Sequence, residues 1–247
     1  MKKTQTILIL FLLVTSLIRV NAQTASEIEK ANKSCKPVFL VVYNSAGADA
    51  DKAITIANTA KKNLKASSIV LQMNTSDAMN STLVSKYRLS GTPLPLILVL
   101  DKNGTAVGGL GLKDATVEKL VDMIPSPKSS EMLKAIDEGK PVYIVVYKES
   151  MTLQKNIIEN CTAACGKMNN KCVMVKVLMD DKKETKLLQS LKCDLNAKEP
   201  VTYVINKSGQ VAGTYTGITD VNTLVNTAKK APAGGCCSGG EKSGGCK

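Results

Sequence analysis

One segment is more informative about the architecture than any other: Tyr87-Arg-Leu-Ser-Gly-Thr-Pro-Leu-Pro-Leu-Ile-Leu-Val-Leu-Asp-Lys-Asn-Gly104. Prolines precede its aliphatic run, which ends at Leu100, and Lys-Asn-Gly follows shortly after it. A short continuous run of Val, Ile and Leu predicts a strand that is covered on both faces. The Lys-Asn-Gly triplet predicts a tight turn into another strand.

A similar run occurs earlier in the chain, and it is repeated. Lys36-Pro-Val-Phe-Leu-Val-Val-Tyr43 recurs 104 residues later as Lys140-Pro-Val-Tyr-Ile-Val-Val-Tyr147. Apolar positions near the end of each copy keep this offset, with Val117, Leu120 and Val121 matching Val221, Leu224 and Val225. These matches indicate a tandem repeat that follows the N-terminal region.

The limits of the two units follow from the same comparison. Asp101-Lys-Asn-Gly104 matches Asn206-Lys-Ser-Gly209 at an offset of 105, which indicates one inserted residue in the second copy. The sequence predicts one domain over residues 25–125 and a second over 131–230. A linker rich in proline and serine is predicted at 126–130.

Both units show the same order of predicted elements. A buried strand at 37–43 or 141–147 is followed by a helix, a second strand, a short helix, a strand–turn–strand hairpin and a closing amphipathic helix. This β-α-β-α-β-β-α order predicts an α/β fold with three layers, in which a central sheet is covered by helices on both faces.

Each unit resembles the thioredoxin family in this order and in the segment 87–104. The resemblance implies two tandem thioredoxin-like three-layer (α/β/α) domains. It also implies a cis-proline before the hairpin, at Pro95 in the first unit and at Pro200 in the second. Each of these prolines precedes its hairpin glycine, Gly104 or Gly209, by nine residues.

The redox motif of the family is missing from both units. The resemblance places a Cys-x-x-Cys dithiol just after the first buried strand, where the start of a helix lowers the thiol pKa. The corresponding segments, 43–52 and 147–155, contain no cysteine. The chain also contains no histidine, which excludes a Ser-His-Asp triad and a Cys-His dyad. We therefore favour a protein without enzymatic activity.

Five cysteines lie within the predicted units. Cys165 and Cys172 are expected near the end of a helix and at the start of the next strand, so a disulfide between them is possible. Cys161 is one helical turn before Cys165, and this pair is a less favoured candidate for metal binding. Cys161 and Cys193 match apolar positions of the first unit and are predicted to lie in the core.

Three further cysteines, Cys236, Cys237 and Cys246, lie in a glycine-rich tail over 231–247. Soft thiolates select thiophilic ions, so the tail is a candidate site for Cu(I) or Zn(II). The same thiols could exchange disulfides with a partner protein. Simple oxidation of the tail, without a functional role, is the third possibility. The composition predicts a flexible segment.

The first 22 residues are interpreted as a signal peptide. Lys2 and Lys3 precede an apolar run, and Val20-Asn-Ala22 provides small residues for cleavage. This short basic start is typical of bacterial signals, so the protein is expected in the periplasm or outside the cell. Polar residues interrupt the apolar run, and no transmembrane anchor is expected after cleavage. Disulfides are favoured in such a compartment.

The charge is strongly positive but does not indicate nucleic-acid binding. The 33 Lys and Arg residues exceed the 21 acidic residues and give a net charge of +12. Two of the basic residues, Arg19 and Arg88, are arginine. Because bidentate recognition of phosphate and guanine favours arginine, specific nucleic-acid binding is not expected.

Two functional hypotheses follow. The first is an exported, non-catalytic thioredoxin-like scaffold or binding protein, whose cysteine-rich tail binds a soft metal or an exported partner protein. The alternative is an atypical thiol–disulfide oxidoreductase that uses tail cysteines or those of the second unit. A flexible tail neither holds nor activates a nucleophilic thiol, so the first hypothesis is favoured.

Overall fold

A computed structural model describes residues 23–64 and 67–231. The predicted signal peptide at 1–22 lies outside the described residues, as do the three tail cysteines. The chain divides into two compact units between Ser126 and Pro127. We refer to them as unit 1 and unit 2.

Unit 1 contains a four-stranded mixed sheet. Its elements are α1 (Gln23–Lys33), β1 (Val38–Tyr43), α2 (Ala48–Asn63), β2 (Ile69–Asn74), α3 (Ser81–Lys86), β3 (Leu96–Leu100), β4 (Ala106–Gly111) and α4 (Val117–Asp122). The strand order is β2-β1-β3-β4. β1 is parallel to β2 and antiparallel to β3, and β3 and β4 form an antiparallel hairpin.

Unit 2 repeats this arrangement. Its elements are α5 (Pro127–Asp137), β5 (Val142–Tyr147), α6 (Gln154–Lys167), β6 (Val173–Leu178), α7 (Thr185–Ser190), β7 (Val201–Ile205), β8 (Val211–Thr216) and α8 (Val221–Ala228). The strand order β6-β5-β7-β8 matches that of unit 1. The described residues thus form two thioredoxin-like α/β units, which confirms the predicted fold class.

The central strand of each unit is buried on both faces, which explains its continuous apolar sequence. Alternate residues of β1 enter different core clusters, because successive side chains of a strand point to opposite faces. One face packs against α1 and α3, and it includes Val38, Leu40, Val42, Ile28, Ala31 and Leu83. The other face packs against α2 and α4, and it includes Phe39, Val41, Ala53, Ala57 and Leu120. Unit 2 has the corresponding pair of clusters.

The leading helices α1 and α5 were not predicted. They carry a signal at the same offset of 104, since Ser26-Glu-Ile-Glu-Lys-Ala31 matches Ser130-Glu-Met-Leu-Lys-Ala135. Most of the segment predicted as a linker, 126–130, belongs to α5. The physical reason is Pro127, because proline is favoured in the first turn of a helix. Buried Glu184 also accepts a hydrogen bond from the amide of Lys128 at this helix start.

The end of α1 shows a local conflict between sequence and backbone. Cys35 follows α1 with φ of 52°, whereas Gly139 follows α5 at the equivalent position with φ of 69°. In both units the next amide, of Lys36 or Lys140, bonds back to a carbonyl five residues earlier at 2.9 Å. This helix ending requires a left-handed residue, and glycine adopts that conformation without a steric cost. Cys35 therefore carries backbone strain that Gly139 avoids.

We predict that Cys35→Gly stabilises unit 1 by about 1 kcal/mol, the scale of the steric cost of a left-handed non-glycine residue. Native-state hydrogen exchange of the β1 amides measures the stability of this unit separately. Cys35→Ala is the matched control, because it removes the thiol but keeps the Cβ atom. Equal stabilisation by both variants would show that the thiol, and not the backbone, is responsible.

Candidate functional site

A groove opens in unit 1 where the end of β1, the start of α2 and the loop before β3 meet. It consists of two cavities of about 340 and 580 Å³ that share Asp49, Leu94 and Pro95. The smaller cavity is lined mainly by residues 43–50, and the larger one by residues 92–96 and 111–114. We call the two cavities together the Pro95 groove.

The wall of the groove between β1 and α2 is short and polar. The amide of Thr75 donates to the carbonyl of Tyr43 at 2.8 Å, and Ser76 Oγ donates to the carbonyl of Asn44 at 2.9 Å. These bonds fix the start of the loop, while residues 44–49 remain exposed. Gly47 precedes α2 and provides no side-chain cap. The groove therefore contains the amino end of a long helix, where the partial charge is positive.

The larger cavity is mostly apolar. Its floor and sides include Pro93, Leu94, Leu96 and Leu112, with Gly111 at the end of β4. The antiparallel pairing of Leu96 with Gly111 brings this wall to the proline loop. Pro95 can be recognised in the sequence, whereas the wall at 111–114 cannot, because that wall depends on the register between β3 and β4.

The Leu94–Pro95 peptide bond is cis, as the family resemblance implies. It is the one cis bond in the part of the chain that the structure describes, so the expectation for Glu199–Pro200 is wrong. The inserted residue lengthens the loop before β7, and the carbonyl of Pro200 accepts a hydrogen bond from the amide of Gly217. Pro200 thus extends the β7–β8 pairing with the trans bond that X-Pro sequences favour by about 0.5–1 kcal/mol.

The equivalent segment of unit 2 is packed onto its own core. Met151 occupies the position of Gly47, and its side chain is buried in a cluster with Val146, Met179 and Val201. The amide of Lys148 also contacts the Met151 sulfur at 3.3 Å. Met151 therefore fills space at this end of β5, where Gly47 provides no side chain in unit 1.

Cys165 and Cys172 form a disulfide with a Cα–Cα distance of 5.5 Å, as expected from their positions. The bond joins the last turn of α6 to the residue before β6. A helix carboxyl end carries partial negative charge and disfavours a thiolate, which is the reverse of a catalytic dithiol site. Closing this short loop stabilises the fold by about 2–3 kcal/mol in the chain-entropy model. We interpret the bond as structural.

The free thiols of unit 2 are poor nucleophiles. Burial raises the pKa of Cys161 to about 11, although a hydrogen bond with Thr202 acts in the opposite direction. Burial also raises the pKa of Cys193, against a hydrogen bond with Tyr203. Both thiols therefore stay protonated at neutral pH. Cys35 of unit 1 is exposed but does not line the Pro95 groove.

The described residues offer no metal centre. Across 23–64 and 67–231, no three Cys, Asp or Glu side chains are arranged so that they could hold a metal ion. The tail thiols Cys236, Cys237 and Cys246, predicted as metal ligands, lie outside this part of the chain. Within the described ranges, no helix is both long enough and apolar enough to cross a bilayer.

Comparisons with known proteins found similar chains among solved structures. No protein-family model and no curated protein matches the chain. The first two thioredoxin domains of Eps1p from Naumovozyma dairenensis are 9% identical, over 82% of this chain and 95% of that one, with a TM-score of 0.33. Zinc-bound human ERp44 is 12% identical, over 83% of this chain and 56% of that one, with a TM-score of 0.35.

The bb fragment of ERp72 is 8% identical, over 83% of this chain and 91% of that one, with a TM-score of 0.27. All three similarities are weak by this measure. The thioredoxin-like architecture of each unit rests on the strand order, the three layers and the position of Pro95 described above.

We predict that the double variant Ser45→Cys/Ala48→Cys gains dithiol reductase activity. It restores a Cys-x-x-Cys spacing at the start of α2, next to Pro95, where the helix lowers the thiol pKa. Insulin reduction with dithiothreitol as electron donor measures the gain, and the unmodified protein should remain at the background rate.

The matched control is Glu149→Cys/Thr152→Cys, which places the same spacing in unit 2. We expect no gain there, because Met151 is buried between the two positions and α6 begins later, at Gln154. Equal activity in both variants would contradict the functional difference between the units. Activity of the unmodified protein would favour the oxidoreductase hypothesis.

Proposed function

We propose that the protein is an exported, non-catalytic binding protein that holds an extended polypeptide segment in the Pro95 groove of unit 1. One observation carries this proposal: a largely apolar groove lies at the start of α2 without a thiol among its lining residues. Such a groove can bind a partner, but it cannot exchange disulfides with it.

The size and lining of the groove suit a polypeptide. Cavities of about 300–1,000 Å³ with apolar walls and a few polar groups are typical of binding sites. The two cavities fall in this range and are joined through Leu94 and Pro95. A bound segment can thus place neighbouring side chains on either side of the proline loop.

The backbone at Leu94 supplies a means of holding the segment. Among the described residues, no hydrogen bond engages the amide or the carbonyl of Leu94. Both groups belong to the loop that the two cavities share. An extended partner chain can pair with them as an added strand, which gives affinity through main-chain bonds and specificity through side chains.

The oxidoreductase alternative has weaker support. Among the described cysteines, Cys161 is buried, Cys193 is partly buried, Cys165 and Cys172 form a disulfide, and exposed Cys35 lies outside the groove. Catalysis would therefore depend on the tail cysteines. Export is part of the proposal because of the signal-like segment 1–22, and it agrees with the presence of a disulfide.

We predict that Gly111→Phe weakens peptide binding at least tenfold. A Cβ atom at Gly111 meets no heavy atom within 4 Å, so the ring can enter the larger cavity without distorting the fold. The probe is the capped, fluorescent peptide Gly-Ser-Val-Leu-Val-Gln-Ala-Ser-Gly, followed by fluorescence anisotropy. It favours an extended conformation and carries no charge.

Gly166→Phe is the control for this experiment. Gly166 also has open space around its Cβ position, but it lies in α6 of unit 2, away from the Pro95 groove. Its variant should bind the peptide as the unmodified protein does. Equal loss in both variants, or no binding by the unmodified protein, would contradict the proposed function.

The tail adds a second binding element to the proposal. We predict that the reduced mature protein binds Cu(I) or Zn(II), because three thiolates are soft ligands for these ions. Changing Cys236, Cys237 and Cys246 to Ser should lower the bound metal, measured by elemental mass spectrometry after anaerobic purification. Unchanged stoichiometry in the triple variant would exclude the tail as the metal site.

A further inference from the structure

We infer that the Pro95 groove selects extended segments that carry a Lys or Arg two positions from an aliphatic residue, and that Asp49 determines this preference. The inference rests on the proposed binding function and specifies the class of partner. Asp49 lines both cavities, so this residue lies where the polar and the apolar parts of the groove meet.

Asp49 is the one charged residue that lines the smaller cavity. The remaining residues there are neutral, and they include Tyr43, Asn44 and Ser45. The larger cavity adds Lys113 and Asp114, whose charges oppose each other. Two acidic side chains and one basic side chain thus line the groove, although the chain as a whole has a net charge of +12. A cationic partner side chain is complementary to this local charge.

The carboxylate of Asp49 is available to a partner. It forms an exposed ion pair with Lys52, whose Nζ lies 3.5 Å from Oδ1, and both side chains are about two-thirds exposed. Exposed pairs of this kind contribute little, so an incoming Lys or Arg can share or replace this contact. The amino end of α2 also stabilises the negative charge at this position.

The larger, apolar cavity accounts for the expected preference for an aliphatic side chain. Pro93, Leu94, Leu96 and Leu112 surround space that suits an aliphatic side chain. In an extended segment, side chains two positions apart lie on the same face, about 6.5 Å apart. The expected motif is therefore an aliphatic residue and a Lys or Arg two positions away.

Unit 2 provides an internal comparison. Leu153 occupies the position of Asp49. Met151, two residues earlier, is buried in the core of unit 2. The carboxylate at this position of the helix start thus belongs to unit 1, so binding with the stated preference should depend on Asp49.

Three capped fluorescent peptides test the inference: the Gln peptide described above and versions with Lys or Glu in place of Gln. We expect the Lys peptide to bind about two- to fivefold more tightly than the Gln peptide, which is the range of an exposed ion pair. The Glu peptide should bind more weakly than either. The preference for Lys should shrink in 0.5 M NaCl, because salt screens exposed charges.

Asp49→Asn should remove the preference for Lys, so that the Lys and Gln peptides bind this variant with equal affinity. Asp51→Asn is the matched control, because Asp51 lies in the same first turn of α2 but does not line the groove. That variant should keep the preference.

The possible failures are distinct. Equal binding of all three peptides, with Gly111→Phe still abolishing it, would overturn the charge preference and leave the proposed function intact. Tighter binding of the Glu peptide would also overturn it and would assign specificity to Lys113. No binding of any peptide to the unmodified protein would overturn both.

Discussion

The architecture depends on the double burial of the first strand in each unit. β1 pairs with β2 on one side and with β3 on the other, and its alternate residues enter two separate cores. Because every side chain of Val38–Val42 is buried, a charge or a one-residue slip in this strand would disrupt both layers at once. The same strand ends at Tyr43, which lines the Pro95 groove. The buried strand therefore fixes the position of this wall of the groove.

The two units differ at the carboxyl ends of the buried strands β1 and β5. After β1 the chain forms an exposed loop that contains Gly47. After β5 the equivalent residue, Met151, is buried in the core. The inserted residue before β7 adds a second difference, since Pro200 joins the β7–β8 pairing while cis-Pro95 remains in the groove. Both changes lie at the same end of the sheet and leave the strand pairing unaltered. The two copies of the fold can therefore differ at this end of the sheet without a change in topology.

The fold was largely predictable because its determinants are local and occur twice. The buried strands, the hairpins and the closing helices repeat as apolar patterns, and Pro95 could be placed by counting from Gly104. The missed helix α1 shows where this fails: its buried face depends on Ile28 and Ala31, which form too short a pattern to be distinctive. Pro200 was misjudged because the effect of one inserted residue depends on which carbonyl pairs with Gly217. The groove wall at Gly111 and Leu112 depends on strand register, which composition does not encode.

The placement of the cysteines explains why binding is a better interpretation than catalysis. Cys161, Cys165, Cys172 and Cys193 of unit 2 correspond to Ala57, Lys61, Ser68 and Leu89 in unit 1. Within unit 2 these thiols are buried, partly buried or joined in a disulfide, where they contribute to packing and stability. The groove of unit 1 contains hydroxyl, amide and carboxylate groups, and the chain has no histidine to activate any of them. Such groups can select a partner by shape, main-chain hydrogen bonds and charge. Thiol–disulfide exchange would require a thiol, and the lining of this groove contains none.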